Sequence, residues 1–216
     1  MYDRMPDGGP ACVSPLAASA DSSNPMSDLS LDSKSTALIL IDLQKGITRY
    51  STAPHAAPDV IANGVRLAER CRAAGATVIL VRVAFAADGS DRLQTPTDSQ
   101  FPAAPPAADW SDIVPEHGPK AGDLVVTKRQ WGAFYGTDLE LHLRRRGIKT
   151  IVIGGISTNF GVESTARDAW ERAFAMVFVE DAMSAMSGDA HAFAIANIFP
   201  RLGRVRSTAE VLNAFG

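Results

Sequence analysis

The 216-residue chain sets 21 Lys and Arg against 24 Asp and Glu, a formal net charge of -3, and its 46% hydrophobic residues suffice for one substantial core. With no basic field it lacks the electrostatic footprint of a nucleic-acid or anionic-membrane binder, so a small molecule or another subunit is the expected partner. Its two cysteines, Cys12 and Cys71, indicate neither a disulfide framework nor a metal cluster, which fits a reducing cytoplasm.

Residues 1–34 are rich in Ser, Pro, Asp, Gly and Ala and hold no apolar run of signal-peptide or membrane-helix length. They read as a disordered tail ahead of a single domain over 35–216, with Met26 as an alternative start of translation. From Thr36 onward short β-branched runs alternate with amphipathic stretches. The runs TALILID (36–42), TVILVRVA (77–84), LVVTK (124–128), KTIVIGG (149–155), MVFVED (176–181) and RVRS (204–207) read as strands. Helices are expected over 57–74, 138–146, 162–174, 188–199 and 208–214. Thr137 with Glu140, and Ser207 with Glu210, match the capping-box spacing, and Gly75 and Gly147 fall where helix C-termini need a left-handed residue. Near-continuous apolar strands alternating with helices predict a mostly parallel sheet covered on both faces, a three-layer α/β/α fold. The Pro-, Ala- and Asp-rich segment 85–122 is too long for an idle connection and is expected to form a substrate-side loop or a subunit contact.

In such sheets ligands bind beyond the carboxyl ends of the strands, which selects Asp42, residues 82–85, Lys128 and the turn 155–161. Asp42 ends one strand and Lys128 another. Singly, each is more often a turn former or a solvated charge, but two strand ends on one rim can bring a carboxylate and an ammonium into a partly buried pair suited to proton transfer. Arg129 and Trp131 in KRQWGAFYG either line a pocket or belong to the core. His142 and His191 sit at helical periods and read as structural or exposed, and Arg144, Arg145 and Arg146 suit the C-terminal end of a helix dipole.

Three separated segments now carry a resemblance: ILIDLQ around Asp42, VVTKRQWGAFYGTDL around Lys128, and the turn GGISTNFGVESTARDA. In this order, and after these strands, they resemble the isochorismatase-like hydrolase superfamily, also called the cysteine hydrolases, over residues 36–213. The amidases of that superfamily use an Asp, a Lys and a Cys, the last in the pattern T-N-x-C-V. Here the pattern reads Thr158-Asn159-Phe160-Gly161-Val162, so Asp42, Lys128 and Gly161 occupy the catalytic positions. Gly has no side chain to attack with, which excludes a thiolate and an acyl-enzyme, and the nearby hydroxyls of Ser157, Thr158 and Ser164 have no accompanying His base.

The resemblance implies more. Isochorismatases are similar to this chain in having Gly at the Cys position, because a vinyl ether is cleaved by protonation of carbon and capture of the cation by water. On that pattern Asp42 is the general acid, Lys128 orients the substrate and stabilises charge, and N–H groups around Phe160 and Gly161 bind an anion. Gln44, Phe85, Trp131, Ser157, Thr158, Asn159 and Phe160 form the implied substrate-binding set, and a cis peptide is implied near Ile156-Ser157. Where isochorismatases place a Gln after the second strand this chain has Phe85, and Arg92 is the one arginine in AFAADGSDR. A homo-oligomer, dimer or tetramer, is implied, with AFAIANIFP as interface or core, and no cofactor. For metal, His55 near Asp59 offers too little for a site, and none is expected. A non-catalytic ligand-binding or assembly protein of the same fold, and an amidase using water activated by Asp42, stand as alternatives.

Overall fold

The computed structural model describes residues 29–99 and 107–215. Six strands, β1 (Thr36–Ile41), β2 (Thr77–Val83), β3 (Leu124–Lys128), β4 (Thr150–Ile156), β5 (Ala175–Ser184) and β6 (Gly203–Arg206), form one sheet in the order β3-β2-β1-β4-β5-β6. Every neighbouring pair is parallel. The helices are α1 (Lys45–Thr48), α2 (Ala57–Ala74), α3 (Leu139–Arg145), α4 (Glu163–Glu171), α5 (Gly188–Phe193), α6 (Phe199–Leu202) and α7 (Thr208–Ala214).

All six residues of β1 are buried, and their alternation builds two cores. Ala37, Ile39 and Ile41 face one side with Leu139 and Leu143 of α3, Ala166 and Ala169 of α4 and Phe199 of α6. Leu38 and Leu40 face the other with Val60, Leu67 and Cys71 of α2 and Val211 of α7. These are the two outer layers of the expected sandwich. Burying each Leu or Ile side chain contributes about 1.5–3 kcal/mol, so β1 is the hydrophobic spine of the fold.

The strand order runs outward from β1 through β2 to β3, then returns to β4 on the other side of β1. The switch point, where connections depart to opposite faces, lies between β1 and β4 and opens a crevice at their carboxyl ends. At Gly155 the φ is 125°, and a Cβ there would collide with the Ile41 carbonyl, so β4 can pass this close to the end of β1 only with glycine.

Several expectations change in detail. Residues just ahead of 35 also make contacts with the domain: Leu31 is 7% exposed, its N–H donates to the Ala214 carbonyl at 3.0 Å, and Asp32 caps a short turn over Ser33–Ser35. The remainder of the expected tail, with Cys12 and Met26, lies outside the described residues. Ser207 and Glu210 form the full capping box of α7, whereas only half of the box forms at α3: the Thr137 hydroxyl accepts from Leu139 N at 3.2 Å while donating to the Ala133 carbonyl at 2.6 Å, but Glu140 turns to Arg144 and Arg172. Gly75 and Gly147 are left-handed as expected, with φ of 77° and 67°. The 188–199 helix is interrupted by a π-helical turn over Ala194–Ile198 ahead of Pro200, whose missing N–H removes a regular helical bond. One face of that stretch is core, with Phe199 stacked on Phe178 at 4.1 Å.

Candidate active site

Because β1 and β3 are parallel in one sheet, Asp42 and Lys128 emerge on the same rim. Lys128 Nζ donates to Asp42 Oδ2 at 2.8 Å and to the carbonyls of Gln130 at 3.0 Å and Trp131 at 2.8 Å. The ammonium's three donors are thereby all engaged, and with 1% of the residue exposed it is locked. No N–H of Lys128 is left to orient a substrate, so its action is on Asp42. Asp42 is 6% exposed and takes a left-handed backbone with φ 53°, a conformation Asp tolerates better than most residues. Its Oδ1 is buried without a hydrogen-bond partner among the described residues. Desolvation raises the carboxyl and outweighs the Lys128 charge and hydrogen bond, which lower it, and the balance lies at about 6. An acid so placed can hold its proton near neutral pH and has one oxygen uncommitted.

The turn after β4 closes over this pair. The Ile156-Ser157 peptide is cis, as the resemblance implied. A π-helical turn over Thr158–Val162 then leads into α4. A Cβ added at Gly161 would lie 2.9 Å from Ile41 Cγ2, 3.1 Å from Asp42 Oδ2 and 3.5 Å from Lys128 Nζ. The main chain at Gly161 therefore occupies the approach to the pair, and even a methyl group forces something to shift. Thr165 donates to the Gly161 carbonyl at 2.7 Å and accepts from Ala133 N at 3.2 Å, pinning the turn to the segment after β3. The Phe160 N–H donates to the Ser157 carbonyl at 3.2 Å, so it is occupied rather than offered to an anion.

Around the pair, the substrate-binding candidates divide. Trp131 and Phe160 are 52% and 39% exposed, and their rings meet at 4.8 Å with a 43° tilt, an open aromatic face next to the Lys128-bound carbonyl of Trp131. Ser157 donates to Asn159 Oδ1 at 2.7 Å, and buried Thr158 shares a hydrogen bond with His191 Nδ1 at 2.9 Å. Gln44 is not a ligand group. Its Nε2 donates to the Val83 carbonyl at 3.0 Å and the Trp110 carbonyl at 3.1 Å, and its Oε1 accepts from Val83 N at 2.8 Å. It is a buried strut joining the end of β1 to β2 and to the 107–114 segment. Phe85 is half-buried, stacked on Trp110 at 6.0 Å, with the Arg92 guanidinium 5.1 Å from its ring centroid. Arg129 pairs with Asp91 at 2.5 Å.

Residues 36–210 match the Isochorismatase domain. The chain belongs to the isochorismatase family. It is 51% identical over 186 residues to the isochorismatase family protein YecD of Escherichia coli O157:H7, covering 86% of this chain and 99% of that one. An isochorismatase family protein structure from Burkholderia thailandensis superposes with a TM-score of 0.82 at 46% identity, covering 88% of this chain and 99% of that chain. The ureidoacrylate amidohydrolase RutB of Methylorubrum extorquens is 32% identical over 178 residues, 71% of each chain. This isochorismatase-family chain is thus a hydrolase. Among its described residues no helix is long and apolar enough to cross a membrane.

Two groups near the site of this hydrolase escape sequence reasoning. Trp110 covers α1 so closely that a Cβ at Gly46 would enter its indole. His55 does not pair with Asp59; its Nε2 meets Glu180 Oε1 at 2.7 Å, and His191 Nε2 meets the same oxygen at 3.1 Å. His191 is buried, whereas His142 is part-exposed beside Asp138 at 3.0 Å. Only the fold brings His55 to residues 125 positions away. The available sequence signals were His55 near Asp59 and His191 at a helical period.

Proposed function

We propose that the chain is a thiol-independent hydrolase in which Asp42 delivers a proton to the vinyl carbon of a small carboxylated vinyl ether. The observation that carries this reading is Gly161: the position that would hold a nucleophile has no side chain, and its main chain lies against an acid whose pKa is raised to about 6. In the reaction, the Asp42 proton passes to the vinyl carbon and leaves an oxocarbenium ion. Water adds to that cation and gives a proton back to the carboxylate, and the resulting hemiketal collapses to a ketone and an alcohol. Lys128 is a positioning group that keeps the regenerated carboxylate stable beside it. The Trp131–Phe160 face is the surface for the substrate's carbon skeleton. A homo-oligomer in a reducing cytoplasm belongs to the same reading, supported by the free, buried thiol of Cys71 and the exposed Trp170 and Phe193.

The similarity to a ureidoacrylate amidohydrolase favours a second reading, an amidase in which ionised Asp42 activates water. The deciding experiment is turnover of isochorismate by the purified protein, followed as pyruvate release, with Asp42→Asn alongside. Release that vanishes in the variant supports acid catalysis. No release from folded protein removes isochorismate as the substrate.

A further inference from the structure

We propose that His55, Glu180 and His191 form a binding site for one divalent transition-metal ion of the zinc class. The three residues come from the segment before α2, from β5 and from α5. His55 Nε2 and His191 Nε2 approach the same Glu180 Oε1 at 2.7 and 3.1 Å, and the three candidate ligand atoms lie within 4.8 Å of one another. The two imidazole rings stand edge to face, 5.7 Å apart at 82°, and each brings its Nε2 to the shared oxygen.

Preorganisation is visible behind each ligand. The far nitrogen of His191, Nδ1, is 2.9 Å from the buried Thr158 hydroxyl, the kind of second contact that fixes the tautomer and orientation of metal-bound histidines. The His55 carbonyl accepts from Thr52 Oγ1 at 2.7 Å. Ala53 pairs with Ala185 through two main-chain hydrogen bonds of 2.8 and 3.1 Å, holding the His55 segment to the end of β5.

Two imidazole nitrogens and one carboxylate oxygen suit zinc, cobalt or iron in the divalent state, and not calcium or magnesium, which take oxygen ligands. Tetrahedral bonds of about 2.0–2.2 Å place ligand atoms about 3.3 Å apart, so an ion needs Glu180 and His55 to separate by about half an ångström and the two histidine nitrogens, within 4.8 Å of each other, to settle at that spacing. Both side chains are part-exposed, at 34% and 29%, which allows that movement and leaves an outer position for water. Through Thr158 the ion would brace the turn that carries Gly161, independently of which reaction the neighbouring acid performs.

Full-length protein, stripped with EDTA, is titrated with Zn²⁺ by calorimetry and with Co²⁺ by visible absorption, beside His55→Ala and Glu180→Gln, their folding checked by circular dichroism. The expected result is one ion per chain and a visible d–d band, with affinity at least about a hundredfold weaker in both variants and about ten- to a hundredfold weaker in Thr158→Val. Absence of stoichiometric binding in the wild type overturns the site, and so does equal affinity in the folded His55→Ala and Glu180→Gln proteins. Because the readout is binding and not turnover, its failure is separate from any failure of the proposed reaction.

Discussion

Lys128 Nζ is bonded to Asp42 Oδ2 at 2.8 Å, while Asp42 Oδ1 has no hydrogen-bond partner among the described residues. The pair is asymmetric: one carboxylate oxygen is committed to holding the ammonium, and the other is available to carry a proton. Replacing the acid should separate these duties. Asp42→Asn keeps an oxygen for Lys128 and loses the proton donor, so turnover should fall by about 10²–10⁴-fold with the fold intact. Steady-state kinetics with circular dichroism checks this, and unchanged turnover would remove Asp42 from the chemistry.

The raised pKa of Asp42 predicts the direction of the pH profile. An acid that works protonated is fully active below its pKa, so kcat/KM should fall above about pH 6, by about tenfold per unit. A base that activates water would do the reverse, with activity rising through the same range. The slope of the profile between about pH 5 and pH 8 therefore separates the two reactions proposed for this site.

Lys128→Met removes the two largest effects that lower the Asp42 pKa, the ammonium's charge and its hydrogen bond, and leaves only the Val83 main chain to oppose desolvation. The carboxyl then shifts further above its ordinary 3.8. A carboxyl raised in the folded state contributes stability that is complete below the unfolded pKa and is lost as pH rises through the folded one. The variant should lose about 3–5 kcal/mol near pH 8 and much less near pH 4, because there the buried acid is neutral. Urea denaturation of wild type and variant at both pH values measures the difference, and a pH-independent loss would contradict it.

At Gly161 a methyl group meets Ile41 Cγ2 and Asp42 Oδ2 at 2.9 and 3.1 Å, neither of them the end of a long flexible side chain. Gly161→Ala should cost about 1–3 kcal/mol in thermal or urea melts. Gly161→Cys should cost at least as much, and restoring the thiol alone should yield no acyl-enzyme by mass spectrometry. A variant as stable as wild type would show that the turn stands further from the pair.

Trp131 is half-exposed, so Trp131→Ala should change stability by less than about 0.5 kcal/mol. If the Trp131–Phe160 face receives the substrate, KM should rise by about tenfold while kcat changes little, as the loss of an aromatic contact made equally in ground and transition states requires. A fall in kcat with constant KM would argue against a simple platform.

By itself the sequence determined the alternation of strands and helices, the single sheet and the three motifs, because these are written in local periodicity and in residues adjacent along the chain. The strand TALILI and the helix 57–74 are legible in that way, and so is the absence of a nucleophile at Gly161. Tertiary structure alone decided matters that depend on which atoms surround a group. Gln44 follows Asp42 by two residues and looks like a site residue, yet backbone groups of Val83 and Trp110 take up both of its N–H donors. Whether Asp42 is raised or lowered turned on desolvation against one ammonium, a balance with no local signature. Leu31 joined the core through α7, at the opposite end of the chain. His55, Glu180 and His191, scattered over the sequence, became one cluster because the parallel sheet returns β5 beside β4 and delivers α5 to the same rim. Long-range pairing and burial, not residue type, made these groups what they are.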